Sequence, residues 1–175
     1  MLNWPTMAQR EILKYPDPRL REVAQPIEKV TPEIQALADD MAETMYTAKG
    51  CGLAATQIGV ALRIFVVDCA GEDEPSELQV FINPEIVATE GTQTWNEGCL
   101  SFPGVNEEIK RAERVTMRAL DRDGKPFEVT ADGLLAVALQ HELDHLNGSL
   151  MIDKLNAVKR RMMGRKLAKK AQPEA

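Results

Sequence analysis

The chain is poor in aromatic residues and histidine, and it lacks a long apolar run. Aromatic side chains make up 5% of its 175 residues, and its histidines number 2. No segment approaches the roughly 20 apolar residues that a membrane-spanning helix needs, and the first residues lack the apolar centre of a signal peptide. We therefore expect a cytoplasmic protein with neither a membrane nor DNA among its partners. The length suits one domain with a hydrophobic core.

The cysteines exclude a disulfide framework. They are Cys51, Cys69 and Cys99, an odd number without C-x-x-C spacing. Such a set is typical of reduced thiols in an intracellular protein. We expect Cys69 to be a buried structural thiol.

Acidic residues are absent from residues 154–170, which are rich in lysine and arginine although the whole chain has a net charge of −6. We expect an amphipathic helix over residues 155–171. Its apolar side is predicted to contain Leu155, Val158, Met162 and Leu167. Such a helix can dock on an anionic partner such as ribosomal RNA, or it can be a solvated helix face, and the sequence leaves both open.

The hydrophobic pattern predicts two further helices and several strands. The first helix has Thr31 as its N-cap and Pro32 in its first turn, and it ends at Lys49–Gly50. The second runs from about Asp132 to Leu146. The predicted strands cover residues 63–68, 80–82 (stopped by Asn83–Pro84), 92–99, 115–120 and 127–130. Because these strands do not alternate regularly with helices, the fold class is predicted to be α+β.

The strongest chemical signal is the run His141-Glu142-Leu143-Asp144-His145. On a helix, positions i and i+4 lie one turn apart on the same face, so both imidazoles can reach one metal ion. The intervening Glu142 is then placed to serve a metal-bound water. The pattern predicts a metal-binding helix with a candidate general base.

The two histidines require a third ligand, because catalytic sites of this kind usually have three protein ligands and one open position. With no other histidine, the third ligand is a cysteine, aspartate or glutamate. Asp153 is the only carboxylate residue between Leu146 and Pro173. Cys99 is the better candidate, because a thiolate binds borderline metals strongly. It follows Trp95 and Glu97 on one face of the predicted strand, which Pro103–Gly104 is expected to end.

Three segments together resemble those of the peptide deformylases. They read G-C-G-L-A-A-T-Q at residues 50–57, E-G-C-L-S at 97–101 and Q-H-E-L-D-H at 140–145. Their order and spacing agree with that family, and the resemblance covers most of residues 10–155. One departure is Cys51, which stands where the family commonly has a branched aliphatic residue and adds a thiol near the expected site.

The resemblance implies a mononuclear metal site. Cys99, His141 and His145 would bind Fe2+ with water as the fourth ligand, and Zn2+, Ni2+ or Co2+ could substitute. Glu142 would act as the general base and then as the acid. The implied reaction removes the formyl group from the N-terminal formyl-methionine of newly made polypeptides and releases formate.

The resemblance also implies roles for residues outside the metal site. The side-chain amide of Gln57 and the backbone N–H of Leu100 would stabilise the developing oxyanion. The implied substrate-binding residues are Gly52, Glu97, Leu134 and Val137, with Trp95 beside them. The basic C-terminal helix is a candidate for ribosome contact.

We therefore expect a single α+β domain in which mixed or antiparallel strands pack around a central metal-binding helix, followed by a C-terminal amphipathic helix. Residues 1–9 are expected to form a flexible leader, with Met7 as an alternative start. Residues 10–153 would form the deformylase-like catalytic domain, and residues 154–175 its basic helix and tail.

Two other functions fit some of the same residues. One is a zincin-like peptidase that uses Asp153 or Cys99 as its third ligand. The other is a metal-binding or ribosome-docking module without catalysis, although the presence of Glu142 and Gln57 argues against it.

Overall fold

The computed structural model describes residues 9–171. The predicted leader up to residue 8, the alternative start at Met7 and residues 172–175 of the tail lie outside this range. None of the helices within it combines the length and the apolar character that a membrane crossing requires.

Within residues 9–171 the fold has three α-helices and seven β-strands, together with short 3-10 turns. The helices are α1 (Pro32–Thr47), α2 (Gly133–Leu146) and α3 (Ala157–Ala171). The strands are β1 (Gly52–Ala54), β2 (Ile64–Val67), β3 (Gln79–Glu90), β4 (Gln93–Cys99), β5 (Phe102–Arg111), β6 (Arg114–Leu120) and β7 (Pro126–Ala131). The α+β prediction is confirmed.

The strands form two antiparallel sheets. The larger sheet has the order β1-β2-β3-β6-β7, and the smaller sheet is the hairpin of β4 and β5. Buried strand β2 alternates between two layers: Ile64 and Val66 pack in the core cluster that contains the α1 side chains, whereas Phe65 and Val67 pack in the cluster that contains those of α2. The period of two along a strand thus places α1 and α2 on opposite faces of the sheet.

Helix α1 begins as the sequence predicts. The side chain of Thr31 accepts a hydrogen bond of 3.3 Å from the backbone N–H of Ile34, which satisfies one of the free donors of the first turn. Buried Leu37, Met41 and Met45 recur at helical spacing and join the core. Lys49 then takes a positive φ of 59°, which turns the chain toward β1.

Two predicted strand ends are wrong. Asn83–Pro84 do not stop a strand: β3 continues to Glu90, with an irregularity in its pairing to β6 between Ile82 and Glu85. Asn83 accommodates it with a positive φ of 53°, and its side chain bonds to both backbone groups of Ile27 at 2.8 Å. Pro103 and Gly104 likewise lie inside β5, which the sequence reading missed.

The predicted apolar side of the C-terminal helix is also wrong in part. Val158 and Met162 are each 65% exposed, whereas Met163 and Leu167 are buried. The buried pair belongs to a core cluster with Leu150, Met151 and Ile152, among others. Docking against this cluster, rather than the overall apolar pattern, sets which face of α3 is buried.

Candidate metal centre

Strand β4 and helix α2 bring three metal-binding donors together. The ligand atoms of Cys99, His141 and His145 all lie within 4.8 Å of one another. The Sγ of Cys99 is 3.3 Å from Nε2 of His145, and the Nε2 atoms of the two histidines are 3.3 Å apart. Asp153, the other candidate ligand, is outside this group and is bonded to Arg21 at 2.5 Å and to the N–H of Leu150 at 2.9 Å.

The donor set fits a divalent transition metal. Metal–nitrogen and metal–sulfur bonds of about 2.0–2.3 Å in a tetrahedron hold neighbouring ligand atoms roughly 3.3–3.6 Å apart. The two measured separations of 3.3 Å agree with that requirement. One thiolate and two imidazoles suit zinc and iron alike, and three protein ligands leave one position open.

A buried chain of charged groups orients His141. Its Nδ1 lies 3.0 Å from Oε1 of Glu97, so the proton on Nδ1 leaves the Nε2 lone pair for a metal ion. Glu97 receives two hydrogen bonds from Arg111, at 2.5 and 2.9 Å, and Arg111 also donates to Asp144 at 2.8 Å. Burial alone raises the pKa of Glu97, but the bonds from His141 and Arg111 outweigh it and lower the pKa.

The two imidazoles have opposite pKa shifts. Burial disfavours the charged form of His141, but the charge of Cys99 and the hydrogen bonds that the ring donates to Cys99 and Glu97 raise its pKa well above the usual value. Burial and the charge of His141 lower the pKa of His145. The arrangement thus favours the charged form of His141 and the neutral form of His145, and a metal ion at Nε2 of His141 would take the place of the proton there.

Glu142 is buried beside the three donors. Its Oε1 has no hydrogen-bond partner among residues 9–171, and burial raises its pKa to about 7. A Cβ atom at Gly52 would come within 2.5 Å of Oε2 of Glu142, so only glycine allows this approach of strand and carboxylate. An unpaired carboxyl group with a pKa near neutrality is suited to proton transfer.

Gln57 and Leu100 lie next to the donors on two neighbouring loops. Oε1 of Gln57 accepts a hydrogen bond of 2.9 Å from the N–H of Ala54, and Nε2 donates to Ser101 Oγ at 3.1 Å. That amide nitrogen is 3.6 Å from Sγ of Cys99. Leu100 and Ser101 form the two-residue turn between the paired residues Cys99 and Phe102.

A cavity of about 570 Å³ gives access to this group. All the substrate-binding residues that the resemblance implies lie in its wall, together with Trp95 and Cys51. Leu134 and Val137 contribute apolar surface from α2. Glu97 also reaches the wall, but its carboxylate is used by Arg111 and His141.

Cys51 and Cys69, which the sequence gives no reason to pair, interact in the structure. A hydrogen bond from Cys69 lowers the pKa of Cys51 to about 7, and the same bond raises the pKa of Cys69. Both thiols are free, with Cys51 exposed and Cys69 partly buried. The cavity therefore carries a second thiol besides Cys99.

The polypeptide deformylase family matches residues 9–161 of the chain. The chain belongs to this family. The peptide deformylase of Alkalilimnicola ehrlichii is 56% identical over 163 residues, which are 93% of this chain and 91% of the relative. That of Pseudomonas aeruginosa is 51% identical over 170 residues, which are 97% and 100% of the two chains.

Solved deformylase structures have the same fold. The peptide deformylase from Legionella pneumophila superimposes with a TM-score of 0.88 at 51% identity, covering 95% of this chain and 100% of that one. The enzyme from Ehrlichia chaffeensis in complex with actinonin gives a TM-score of 0.91 at 39% identity, with coverage of 95% and 100%. The chain is thus an enzyme of the deformylase family with a Cys–His–His metal site.

Sequence reasoning missed the supporting residues of this deformylase-family site. Arg111, Asp144 and Ser101 hold Glu97 and Gln57 in place, but none was singled out. Asp144 lies within the histidine run, and Arg111 lies in a strand that was not predicted. A buried acid such as Glu97 requires a cationic partner. That requirement could have led to the prediction of an arginine or lysine such as Arg111 beside it.

Proposed function

We propose that Cys99, His141 and His145 hold the metal ion with which this deformylase-family enzyme removes the formyl group from N-terminal formyl-methionine, and that Glu142 transfers the protons. The observation that carries the proposal is the convergence of three donor atoms within 4.8 Å at a cavity whose wall also contains Glu142. Newly made polypeptides are the substrates, and formate is the product.

The chain's own residues account for the proton transfers. When bound, the metal ion supplies Lewis acidity, polarising the formyl carbonyl and lowering the pKa of a water molecule. Glu142 accepts a proton from the attacking water and delivers it to the methionine nitrogen as the carbon–nitrogen bond breaks. Its unpaired Oε1 is free to take that proton. The products are formate and a peptide with a free amino terminus.

Gln57 and Leu100 are proposed to stabilise the oxyanion of the tetrahedral intermediate. Nε2 of Gln57 can donate to the oxyanion while Oε1 stays bound to the N–H of Ala54. Leu100 directly follows Cys99 in the turn at residues 99–102, so its N–H can donate to the same oxygen. In comparable sites, loss of one such donor costs about 3–4 kcal/mol of transition-state stabilisation.

The cavity wall suits a formyl-methionyl end. We propose that the backbone around Gly52 binds the extended peptide and that the methionine side chain packs between Leu134, Val137 and Trp95, which line the cavity. Formyl is the smallest acyl group. We propose that a site shaped for formyl excludes acetyl because of the additional methyl group.

Iron is the metal we propose, with Zn2+, Ni2+ or Co2+ as possible substitutes. The donor set alone fits Zn2+ as well as Fe2+, and the preference for Fe2+ rests on the family resemblance. Protein purified without oxygen and analysed for metal content should contain about one iron per chain, as three protein ligands predict. Zinc as the only metal under those conditions would contradict the iron assignment.

The decisive activity measurement compares a formyl-Met tripeptide with its acetyl twin. Rapid formate release from the formyl peptide, with no hydrolysis of the acetyl peptide, is the expected result. Cleavage of internal bonds in unformylated peptides would instead support a zincin-like peptidase. Full metal occupancy without any hydrolysis would support a metal-binding module.

We also propose that α3 contacts the ribosome and that the enzyme is cytoplasmic, with residues 10–153 as the catalytic domain and residues 154–175 as its basic extension. Exposed side chains of α3 include Lys159, Arg160, Arg161, Arg165, Lys166 and Lys169. Phosphate groups of ribosomal RNA attract such a cluster, and salt weakens the attraction.

Truncation is a poor test of ribosome contact, because Met163 and Leu167 of α3 pack in the core. A better variant combines Arg161→Gln, Arg165→Gln and Lys169→Gln, all at exposed positions. Wild-type protein should co-sediment with ribosomes in a salt-sensitive manner, and the triple variant should not. Equal binding by both proteins would exclude this face as the contact.

A further inference from the structure

The segment Leu13–Tyr15, here called the N-terminal brace, bonds to both loops that carry the proposed oxyanion donors. The N–H of Leu13 donates to the carbonyl of Gln57 at 2.7 Å, and that of Tyr15 donates to the carbonyl of Ser101 at 2.9 Å. Between them, Nζ of Lys14 donates to the carbonyl of Leu100 at 3.2 Å. Three consecutive residues thus fix the backbone at both positions.

The bond from Lys14 acts on the part of the turn that matters for catalysis. A two-residue turn uses the carbonyl of its first residue, Cys99, and the N–H of its fourth, Phe102. The N–H of Leu100 is therefore not needed by the turn. It belongs to the peptide unit between Cys99 and Leu100, and the φ and ψ angles of Leu100 fix that unit relative to the next one, whose carbonyl Lys14 holds.

The surroundings of Lys14 indicate a role in positioning the turn, beyond that of a solvated surface charge. Lys14 is exposed, so burial does not immobilise its side chain, yet it lines the same cavity as Glu142 and Leu100. Its neighbours in the brace are anchored, since Leu13 is buried and the ring of Tyr15 stacks on that of Phe102 with centroids 5.2 Å apart. The backbone of residue 14 is consequently held close to the turn.

We propose that the brace aligns the N–H of Leu100 with the oxyanion and that Lys14 is a positioning residue in it. The inference rests on the proposed function of Gln57 and Leu100 as oxyanion donors. Lys14 does not touch the reacting atoms. It acts through the peptide backbone of Leu100.

The kinetic test uses Lys14→Met, which keeps the length of the side chain and removes its donor. Because an oxyanion donor acts mainly in the transition state, kcat should fall on the order of 10-fold while KM stays within about twofold. Lys14→Arg should restore most of kcat, since a guanidinium can donate to the same carbonyl. Lys29→Met, at an exposed position away from the cavity, should behave like wild type.

A second measurement does not require activity. Hydrogen exchange of the segment around residues 99–102, measured by mass spectrometry, should be faster in Lys14→Met by on the order of threefold, as the loss of one hydrogen bond predicts. Exchange in α1 should be unchanged. Lys14→Arg should again resemble wild type.

The results separate failure of the brace from failure of the proposed function. Three results for Lys14→Met would contradict the proposed role of the brace, even with a fully active wild type. They are an unchanged kcat, equal changes in kcat and KM, or unchanged hydrogen exchange near Leu100. If wild-type protein released no formate, the proposed function would be contradicted, and the exchange measurement would still decide whether Lys14 holds the turn.

Discussion

Helices α2 and α3 have nearly the same length but opposite surroundings. Of the 14 residues of α2, nine are buried, and these include His141, Glu142 and His145. In α3, which has 15 residues, Met163 and Leu167 are buried, while the basic side chains between residues 159 and 169 are exposed. One helix presents its polar residues to the wall of a cavity, and the other presents them to water.

The difference shows where in the fold polar residues can take part in a reaction. In α2 each functional side chain has a specific neighbour, and burial shifts its pKa, because charges interact strongly where water is scarce. In α3 the charges are screened and individually contribute little. A solvated basic face therefore acts through a partner of opposite charge, whereas a buried polar cluster can hold a metal ion and transfer protons at fixed positions.

The largest expected effect concerns the metal donor that α2 does not supply. Cys99→Ala should lose the metal ion and with it all formate release, because two imidazoles on one helix do not complete a three-ligand site. Cys99→Asp, which keeps an anionic ligand, should bind metal with a changed preference. Metal analysis of the two purified variants checks this, and a normal metal content in Cys99→Ala would exclude Cys99 as a ligand.

Variants of Glu142 are expected to lose catalysis while they keep the metal ion. Glu142→Ala should keep about one metal ion per chain and lose roughly 10²–10⁴-fold in kcat, the usual contribution of a general acid–base. Glu142→Gln, which preserves size, is the matched control and should be equally inactive. A metal-free variant, or one with a near-normal rate, would contradict the assigned role.

A third pair of variants compares a buried ion pair beside α2 with an exposed ion pair of α3. Arg111→Met leaves Glu97 buried without its main cationic partner and should destabilise the protein by about 3–5 kcal/mol. Lys159→Met removes the exposed contact of α3 with Glu107, at 3.7 Å, and should cost roughly 0–1 kcal/mol. Urea unfolding of both variants gives the comparison, and equal losses would show that burial is not what distinguishes the helices.

The smallest effect is expected at the exposed apolar residues of α3. Val158→Ala should change the free energy of unfolding by less than about 0.5 kcal/mol, because Val158 is 65% exposed. Leu139→Ala, at a fully buried position in α2, should cost about 2–5 kcal/mol. A large loss for Val158→Ala would mean that this face of α3 is covered in solution.

The sequence predicted those features of the fold that depend on interactions between residues close together in the chain. Thr31 and Pro32 identified the start of α1, and the spacing of His141 and His145 identified a helix with two ligands on one face. Both rely on interactions within four residues, which a sequence displays directly. The third ligand, Cys99, followed from the ligand number and not from its distance along the chain.

Features set by distant contacts were not predictable in the same way. Pro103 and Gly104 are turn-forming residues, but they lie at an irregularity in the β4–β5 pairing between Phe102 and Asn106. Gly104 takes a positive φ of 74° there, and the strand continues beyond it. The role of Arg111 depends on the register that places Arg111 opposite Gln93, near both Glu97 and α2. The buried face of α3 depends on where the core cluster receives Met163 and Leu167.

The donors of the metal site are also separated in the order of synthesis. Cys99 is translated about 40 residues before His141, which corresponds to about 2–8 s at ordinary elongation rates. During that interval the thiol exists without its imidazole partners. Metal capture therefore follows the synthesis and packing of α2.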